Sequence, residues 1–134
     1  MTPSPVARPP VVLDASAVLA LLAEEPGADE VEALLDGSAM SSVNLAEVLQ
    51  KSMQHGVDTE GLEYDLQGLG MELYAFDVAQ ARATAELWER ARRGGLSLGD
   101  RACLSLAAGL GAVAVTTDRR WSSLDLDVEI RVVR

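Results

Sequence analysis

Apolar residues in this chain form two kinds of pattern that alternate along it, one typical of strands and the other of helices. Short runs that are continuously apolar or alternate with polar residues are typical of strands, whereas longer segments with apolar residues at helical spacing end at Gly or Pro. The pattern predicts strands at 11–13, 39–40, 72–76, 112–115 and 128–133, and helices at 15–25, 28–35, 44–54, 58–69, 78–93 and 97–109. Strands that alternate with helices imply an α/β three-layer sandwich, in which a mainly parallel central sheet has helices on both faces.

Length and proline content indicate one folded domain after a short tail. Four of the five prolines lie in residues 1–10, which predicts an extended tail, and residues 11–134 are long enough for a single domain with its own core. No segment approaches the ~18 consecutive apolar residues that cross a bilayer, and Asp14 interrupts the first apolar run. We therefore expect a soluble, cytoplasmic protein.

Scarce residue types exclude several kinds of chemistry. The single cysteine, Cys103, excludes an internal disulfide and is typical of a reducing compartment. The single histidine, His55, argues against a His-based zinc site and against a His-dependent catalytic triad. Chemistry in this chain would have to use carboxylates and hydroxyls.

Two aspartates follow predicted buried strands. Asp14 comes directly after the run at 11–13, and Asp118 comes shortly after the run at 112–115. Ligands of open parallel sheets bind beyond the carboxyl ends of the strands, so the two carboxylates would converge if these strands are neighbours. The alternative is that each aspartate only caps the helix that follows it.

Glu47 and Asp100 have a similar alternative explanation. Asn44-Leu-Ala-Glu47 is close to a capping box, and Ser97-Leu-Gly-Asp100 is a weaker relative of that motif. Taken alone, each acid is better explained as part of a cap. The surrounding helices are rich in apolar residues, however, so both acids are expected at the margin of the core rather than on a solvated face.

Four carboxylates in one crevice would repel each other. A pair ~4 Å apart costs about 4 kcal/mol at an effective dielectric constant near 20. Such a cluster is stable only if acids are protonated or hold a hard cation, and oxygen ligands with open positions suit Mg²⁺ or Mn²⁺. A cation held there activates water and neutralises charge on a phosphodiester, while a carboxylate off the metal positions the attacking water.

Four segments, taken in order, resemble the PIN-domain family, and within it the VapC toxins of bacterial toxin–antitoxin pairs. They span almost the whole chain after the tail, and the set is specific although no single segment is. The segments are VVLDASAVLALL around Asp14, SSVNLAEVL around Glu47, LSLGDRACLSLA around Asp100 and AVTTDRRW around Asp118.

The resemblance implies a Mg²⁺- or Mn²⁺-dependent endoribonuclease that cleaves RNA and arrests growth. It implies that Asp14 and Asp100 hold the metal with assistance from Asp118, and that Glu47 is the remaining catalytic acid. It also implies neutralisation by a small cognate antitoxin, and assembly into a homodimer. The small polar positions that support the family's site are matched by Ser16, Asn44 and Thr116.

The charge balance is unusual for a protein that acts on RNA. The chain has 11 basic and 21 acidic residues, a formal net charge of −10, whereas phosphate contacts need Lys and Arg. Arg101 and Arg119 directly follow two of the four acids, and they either hold RNA phosphates or form ordinary surface ion pairs. Further acids on the first two helices form either a solvated face or a docking surface for a basic antitoxin segment; they are Glu24, Glu25, Asp29, Glu30, Glu32 and Asp36.

Two rival interpretations explain the same composition. A receiver domain is also a small acidic α/β protein that uses Mg²⁺, but it would need an adjacent acidic pair after the first strand and a lysine after the last. Here Leu13 precedes Asp14, and the only lysine, Lys51, lies on a predicted helix. The other alternative is a non-catalytic binding domain in which the acids serve only as caps.

Overall fold

In the computed structural model, which describes residues 10–91 and 94–134, five strands form one sheet. Every neighbouring pair is parallel, and the order across the sheet is β3-β2-β1-β4-β5. The predicted α/β class is confirmed. The strands are β1 (Val11–Leu13), β2 (Ala39–Ser41), β3 (Glu72–Tyr74), β4 (Val113–Thr116) and β5 (Ile130–Val132).

Seven α-helices within the described residues connect these strands. A short 3₁₀ helix, Arg119–Ser123, follows β4. The α-helices are α1 (Ala15–Leu22), α2 (Ala28–Leu34), α3 (Ser42–Gln54), α4 (Leu62–Gly68), α5 (Val78–Glu86), α6 (Trp88–Ala91) and α7 (Leu98–Leu110).

The strand order places helices on both faces of the sheet. The chain moves outwards from β1 to β3 and then returns to the other side of β1 to form β4. Because parallel crossovers are almost always right-handed, this reversal sends α5–α7 to the face opposite α1–α4. Alternate residues of β1 show the two layers: Leu13 packs with Val18 and Val48, whereas Val12 packs with Leu104 of α7.

Three predicted helix boundaries are wrong for local reasons. Helix α3 begins at Ser42, because the Ser41 hydroxyl accepts the N–H of Val43 and caps the helix before Asn44. Helix α4 begins at Leu62, since Gly61 adopts a left-handed conformation with φ 80°. The helix predicted at 78–93 is interrupted between α5 and α6, and its last two residues, 92 and 93, lie outside the described residues.

The predicted tail, residues 1–10, lies outside the described residues except for Pro10. The carbonyl of Pro10 accepts a hydrogen bond from the N–H of Val113, so the chain is already fixed against β4 at this point. None of the described helices is long and apolar enough to cross a membrane.

Strand order also determines where a ligand site would lie. A crevice opens at the carboxyl ends of two neighbouring strands where the direction of strand succession reverses, which here is between β1 and β4. Leu13 is in register with Val115 across this pair, and the Asp14 N–H donates to the Val115 carbonyl. The condition for Asp14 and Asp118 to converge is therefore met.

Candidate active site

A cavity of about 360 Å³ lies at this switch point, and all four predicted acids line it. We call it the acidic pocket. Its acids come from four separate parts of the sequence, and the loop after β1, helix α3, the start of α7 and the loop after β4 each contribute one. Its lining residues are Asp14, Ala15, Ser16, Asn44, Glu47, Lys51, Gly95, Ser97, Asp100, Asp118 and Arg120.

Asp14 is the most enclosed of the four acids, with 4% of its surface exposed. Its Oδ1 accepts hydrogen bonds from Ser16 Oγ (2.7 Å) and from the N–H of Ala17 (2.9 Å), and its Oδ2 accepts one from Thr116 Oγ1 (2.5 Å). Asp14 thus caps α1, as the alternative explanation requires. The cap uses only one of the hydrogen bonds that this carboxylate accepts, and the group is also buried in the wall of the acidic pocket.

Burial raises the pKa of Asp14 from 3.8 to about 6. Desolvation is the largest cause, and the hydrogen bonds from Thr116, Ser16 and Ala17 offset only part of it. The negative charge of Asp100 raises the pKa further. The carboxylate therefore lies in a site that disfavours its own charge and has neutral donors around it.

Ser16 and Thr116 join the loops after β1 and β4. Their hydroxyl oxygens lie 3.2 Å apart, and Ser16 Oγ also accepts the N–H of Thr117 at 3.0 Å. Thr116 Oγ1 accepts the N–H of Asp118 at 3.0 Å while it donates to Asp14. The Thr116 hydroxyl thus fixes both the backbone of Asp118 and the carboxylate of Asp14.

Asn44 orients Glu47 from inside α3. Its Nδ2 donates to Glu47 Oε1 (2.9 Å) and to the carbonyl of Gly99 at the start of α7 (3.0 Å). The predicted capping box of Asn44 and Glu47 is wrong, because α3 begins at Ser42 and Asn44 is buried within it. A Cβ at position 99 would collide with the Glu47 carboxylate, so the glycine leaves room for that carboxylate between the two helices.

Asp100 has a more complete cap than the sequence predicts. Its Oδ2 accepts the N–H of Ser97 (3.0 Å), and Ser97 Oγ accepts the N–H of Asp100 (3.1 Å), which is a full capping box. Within the described residues, Oδ1 of Asp100 accepts no hydrogen bond. The box therefore fixes the side chain and leaves one oxygen available.

Asp118 is paired with Arg120. The guanidinium contacts both carboxylate oxygens, with Nη2 2.8 Å from Oδ2 and Nε 3.1 Å from Oδ1. These hydrogen bonds lower the pKa of Asp118, although some burial opposes them. Asp118 also caps the 3₁₀ helix through the N–H of Arg120.

Sequence reasoning missed two cations of the pocket, Lys51 and Arg120. Lys51 follows Glu47 by four residues on one helix, a spacing that places both on the same helix face and was available as a signal. No comparable pattern marks Arg120, because its contact with Asp118 depends on the tight 3₁₀ turn after β4.

In the structure, Arg101 lies away from the acidic pocket, whereas Arg119 lies close to one of its acids. Arg101 Nη1 donates to the carbonyl of Thr84 at 3.0 Å, so this guanidinium packs on α5 and does not line the acidic pocket. Successive helical residues point about 100° apart, so following Asp100 in sequence directs Arg101 elsewhere. Arg119 lines an adjoining cavity with Asp118 and Arg134.

Cys103 provides a second sign that the acids are clustered. Burial raises the pKa of its thiol well above the usual value, and the charges of Asp14, Asp100 and Glu47 raise it further. Three acids from separate elements therefore act on one buried atom. The thiol itself is a small core group on the inner side of α7.

The chemistry of the donors fits a hard divalent cation. The acids offer oxygen ligands only, Asp14 is buried against neutral donors, and the buried Asn44 Oδ1 has no hydrogen-bond partner within the described residues. In their present positions, no three His, Cys, Asp or Glu side chains of the described part are placed to hold an ion. Arg120 contacts both oxygens of Asp118, so this acid would have to be released before it could serve as a ligand.

A sequence model of the PIN domain matches residues 11–126. The chain belongs to the PIN-domain family. Nuclease activity is general in this family, and its nucleases generally use divalent metal ions. The acids of this PIN domain lie at the end of the sheet where such chemistry would be expected. No curated protein matches its sequence.

Solved structures with the same fold include proteins of toxin–antitoxin systems. The fold is similar to that of DNA-bound VapBC from Salmonella typhimurium, with a TM-score of 0.69, 18% identity and coverage of 95% of this chain and 100% of that chain. It is similar to a toxin–antitoxin complex from Klebsiella pneumoniae, with a TM-score of 0.72, 14% identity and coverage of 92% and 98%. It is also similar to promoter-bound VapBC2 from Rickettsia felis, with a TM-score of 0.65, 17% identity and the same coverage.

The raised pKa of Asp14 predicts how stability depends on pH when metal is removed. The folded state binds this proton more tightly than the unfolded state, so the stabilisation is complete below pH ~4 and is lost as the pH rises through about 6. In EDTA, Asp14→Asn should remove about 3 kcal/mol of that pH dependence, as judged by urea denaturation from pH 4 to 8. The exposed cap Asp77→Asn is the control, and equal pH slopes in wild type and Asp14→Asn would contradict the assignment.

Proposed function

We propose that this PIN domain is a Mg²⁺- or Mn²⁺-dependent endoribonuclease that acts in the cytoplasm as the toxin of a VapBC-type pair. In that role it hydrolyses RNA phosphodiesters and inhibits translation and growth. The observation that carries the proposal is the convergence of four acids, distant in sequence, on one cavity at the switch point of the sheet. The resemblance of the four sequence segments to VapC toxins supports RNA as the substrate.

Asp14 and Asp100 would hold the metal ion, with Asp118 as a third ligand once Arg120 releases it. When bound, the ion supplies activation of water and neutralises charge on the phosphodiester. The protein supports this by orienting its carboxylates in advance: Ser16 and Thr116 hold Asp14, and the capping box holds Asp100.

Glu47 is the acid we assign to the attacking water. It lies off the proposed metal ligands, and Asn44 fixes only its Oε1. A carboxylate held in this way accepts a proton from water within hydrogen-bond reach. Arg120, which is beside Asp118 in the same pocket, would stabilise negative charge on the phosphate.

Removal of a single metal-ligand charge should abolish cleavage without unfolding the protein. We expect Asp14→Asn and Asp100→Asn each to reduce cleavage of single-stranded RNA by at least about 100-fold and to end growth arrest on expression. The thermal stabilisation by Mn²⁺ that we expect for the wild type should also disappear.

Asp77→Asn, which changes an exposed helix cap in the same way, should behave as wild type. If the acids served only as caps, Mn²⁺ would give no Asp14-dependent stabilisation. Folded Asp14→Asn protein that still cleaves RNA would refute the proposal. Sequencing the 5′ ends of RNA after brief expression would identify the cleavage site.

Gly99→Ala tests Glu47 without changing any charge. The new methyl group would displace the Glu47 carboxylate, while alanine is at least as compatible with a helix as glycine. We expect kcat for RNA cleavage to fall at least tenfold while the melting temperature and the Mn²⁺ response stay close to wild type. Gly109→Ala, in the same helix, is the control, since its added Cβ would be in ordinary van der Waals contact with Gln80 Nε2 at 4.0 Å.

A groove between α1, α2 and α4 supports an antitoxin partner. It has a volume of about 920 Å³, its floor includes leucines, and carboxylates surround it. An apolar floor with an acidic rim is complementary to an amphipathic segment that carries Lys or Arg. The leucines are Leu21, Leu22, Leu35, Leu66 and Leu69, and the acids are Glu24, Glu25, Asp29, Glu30 and Glu32. The homodimer stays a prediction.

Charge reversal on the rim should weaken antitoxin binding selectively. We expect Glu24→Lys with Glu32→Lys to lower the affinity for the cognate antitoxin at least tenfold at low salt, measured by calorimetry, because both side chains are exposed on the rim. RNA cleavage by the free toxin should not change. Glu60→Lys, exposed elsewhere, is the control, and an unaltered affinity in the double variant would place the antitoxin at a different surface.

A further inference from the structure

Two further cavities adjoin the acidic pocket and share its walls. One, of about 210 Å³, has Ser16 and Lys51 in common with it, and the other, of about 530 Å³, has Asp118 in common with it. The two added cavities share Thr117 and Arg134 with each other. The three cavities therefore border one another around the carboxyl end of β4 and form one depression, which we call the β4 depression.

Basic residues are concentrated in the β4 depression. The chain has 11 of them in all, and within the described residues four line these cavities, together with five side-chain carboxylates that include Glu25. This part of the surface is therefore close to neutral in a chain whose formal net charge is −10. The four are Lys51, Arg119, Arg120 and Arg134.

Most of these cations have no competing partner. All four are exposed, and none of the ion pairs found in the described residues involves Lys51, Arg119 or Arg134. Arg120 is paired, but its partner is an acid of the pocket itself. Free guanidinium and ammonium groups next to a carboxylate cluster are available to an anionic ligand.

Separate structural elements hold the cations at this edge. Lys51 lies on α3 one helical turn after Glu47, and Arg119 begins the 3₁₀ helix that Asp118 caps. Arg134 directly follows Val133, whose N–H donates to the Thr116 carbonyl at 2.9 Å. The positive groups are thus positioned by the same backbone that positions the acids.

The lining also indicates what part of a nucleic acid would be bound. Among the described residues, none of the side chains that line the three cavities is aromatic, so bases have no aromatic surface there on which to stack. Lys and Arg groups that line a depression bind phosphates, and such contacts position a strand without reading its sequence.

We propose that the β4 depression binds the phosphodiester backbone of single-stranded RNA next to the cleaved bond, through Lys51, Arg119 and Arg134. This inference rests on the proposed ribonuclease function. It explains how a strongly acidic protein retains a polyanion: positive charge is concentrated along the path of the substrate. The contacts are to phosphate, so recognition of a particular RNA must involve other features.

Binding of a fluorescein-labelled single-stranded RNA, measured by anisotropy from 50 to 300 mM KCl, tests the proposal. The protein carries Asp14→Asn so that the RNA stays intact. Lys51→Gln, Arg119→Gln and Arg134→Gln should each weaken binding three- to tenfold at 50 mM salt. Each should also reduce the slope of log affinity against log salt by about 0.7, the value expected for one lost phosphate contact on a single strand.

Arg90→Gln and Arg131→Gln are matched controls, because they remove the same charge from exposed side chains outside the depression. In cleavage by the otherwise wild-type enzyme, the three variants should raise KM with little change in kcat. Equal losses on poly(U) and poly(A) would agree with backbone recognition.

Three results would overturn the inference. The first is a salt slope that changes no more in the three variants than in the two controls. The second is a loss confined to one RNA sequence. The third is a loss of antitoxin binding with RNA binding intact, which would make the depression a protein-docking surface. Absence of any Asp14-dependent RNA cleavage would instead refute the proposed function, so the two failures are distinguishable.

Discussion

The buried carboxylate of Asp14 is the constraint on which the rest of the site depends. Burial there costs the ionised group more than its three hydrogen bonds return, and a second acid nearby adds to the cost. A buried group that lowers the stability of the folded state is typically retained for its function. Asp14 lies at the β1–β4 switch point, and the hydroxyls of Ser16 and Thr116 hold its carboxylate there. The other three acids line the same pocket.

Charge in this molecule differs by region, which reconciles its acidity with the nucleic-acid substrate that we propose. The groove between α1, α2 and α4 is surrounded by acids, whereas the carboxyl edge of β4 has nearly as many cations as acids. Overall charge governs long-range attraction, but contacts at a site depend on the groups within a Debye length of ~8–10 Å. The surfaces proposed for the two ligands of opposite charge therefore differ in charge, and they adjoin at Glu25 and Pro26, which line both.

The sequence predicted the strands, their parallel arrangement and the place where the acids meet, because apolar periodicity and the rules of α/β topology are local or general. It failed where the exact start of a helix, the direction of a helical side chain or a tight turn decided the geometry. Asn44 looked like a helix cap, but Ser41 caps α3, and Asn44 lies within the helix and donates to the carbonyl of Gly99, 55 residues away. Arg101 was a candidate for a phosphate contact because it follows Asp100, but its helix directs it to the carbonyl of Thr84. Arg120 had no sequence signal, since a 3₁₀ turn creates its contact with Asp118.

The Asn44–Gly99 contact has a mechanical consequence. Helices α3 and α7 belong to opposite layers of the sandwich, and here they touch beyond the end of the sheet. The pocket therefore lies where the two helical layers, which the sheet separates elsewhere, are in direct contact. A ligand that contacts both α3 and α7 would restrain both layers at once. Ligand binding at this site and the rigidity of the domain are therefore coupled.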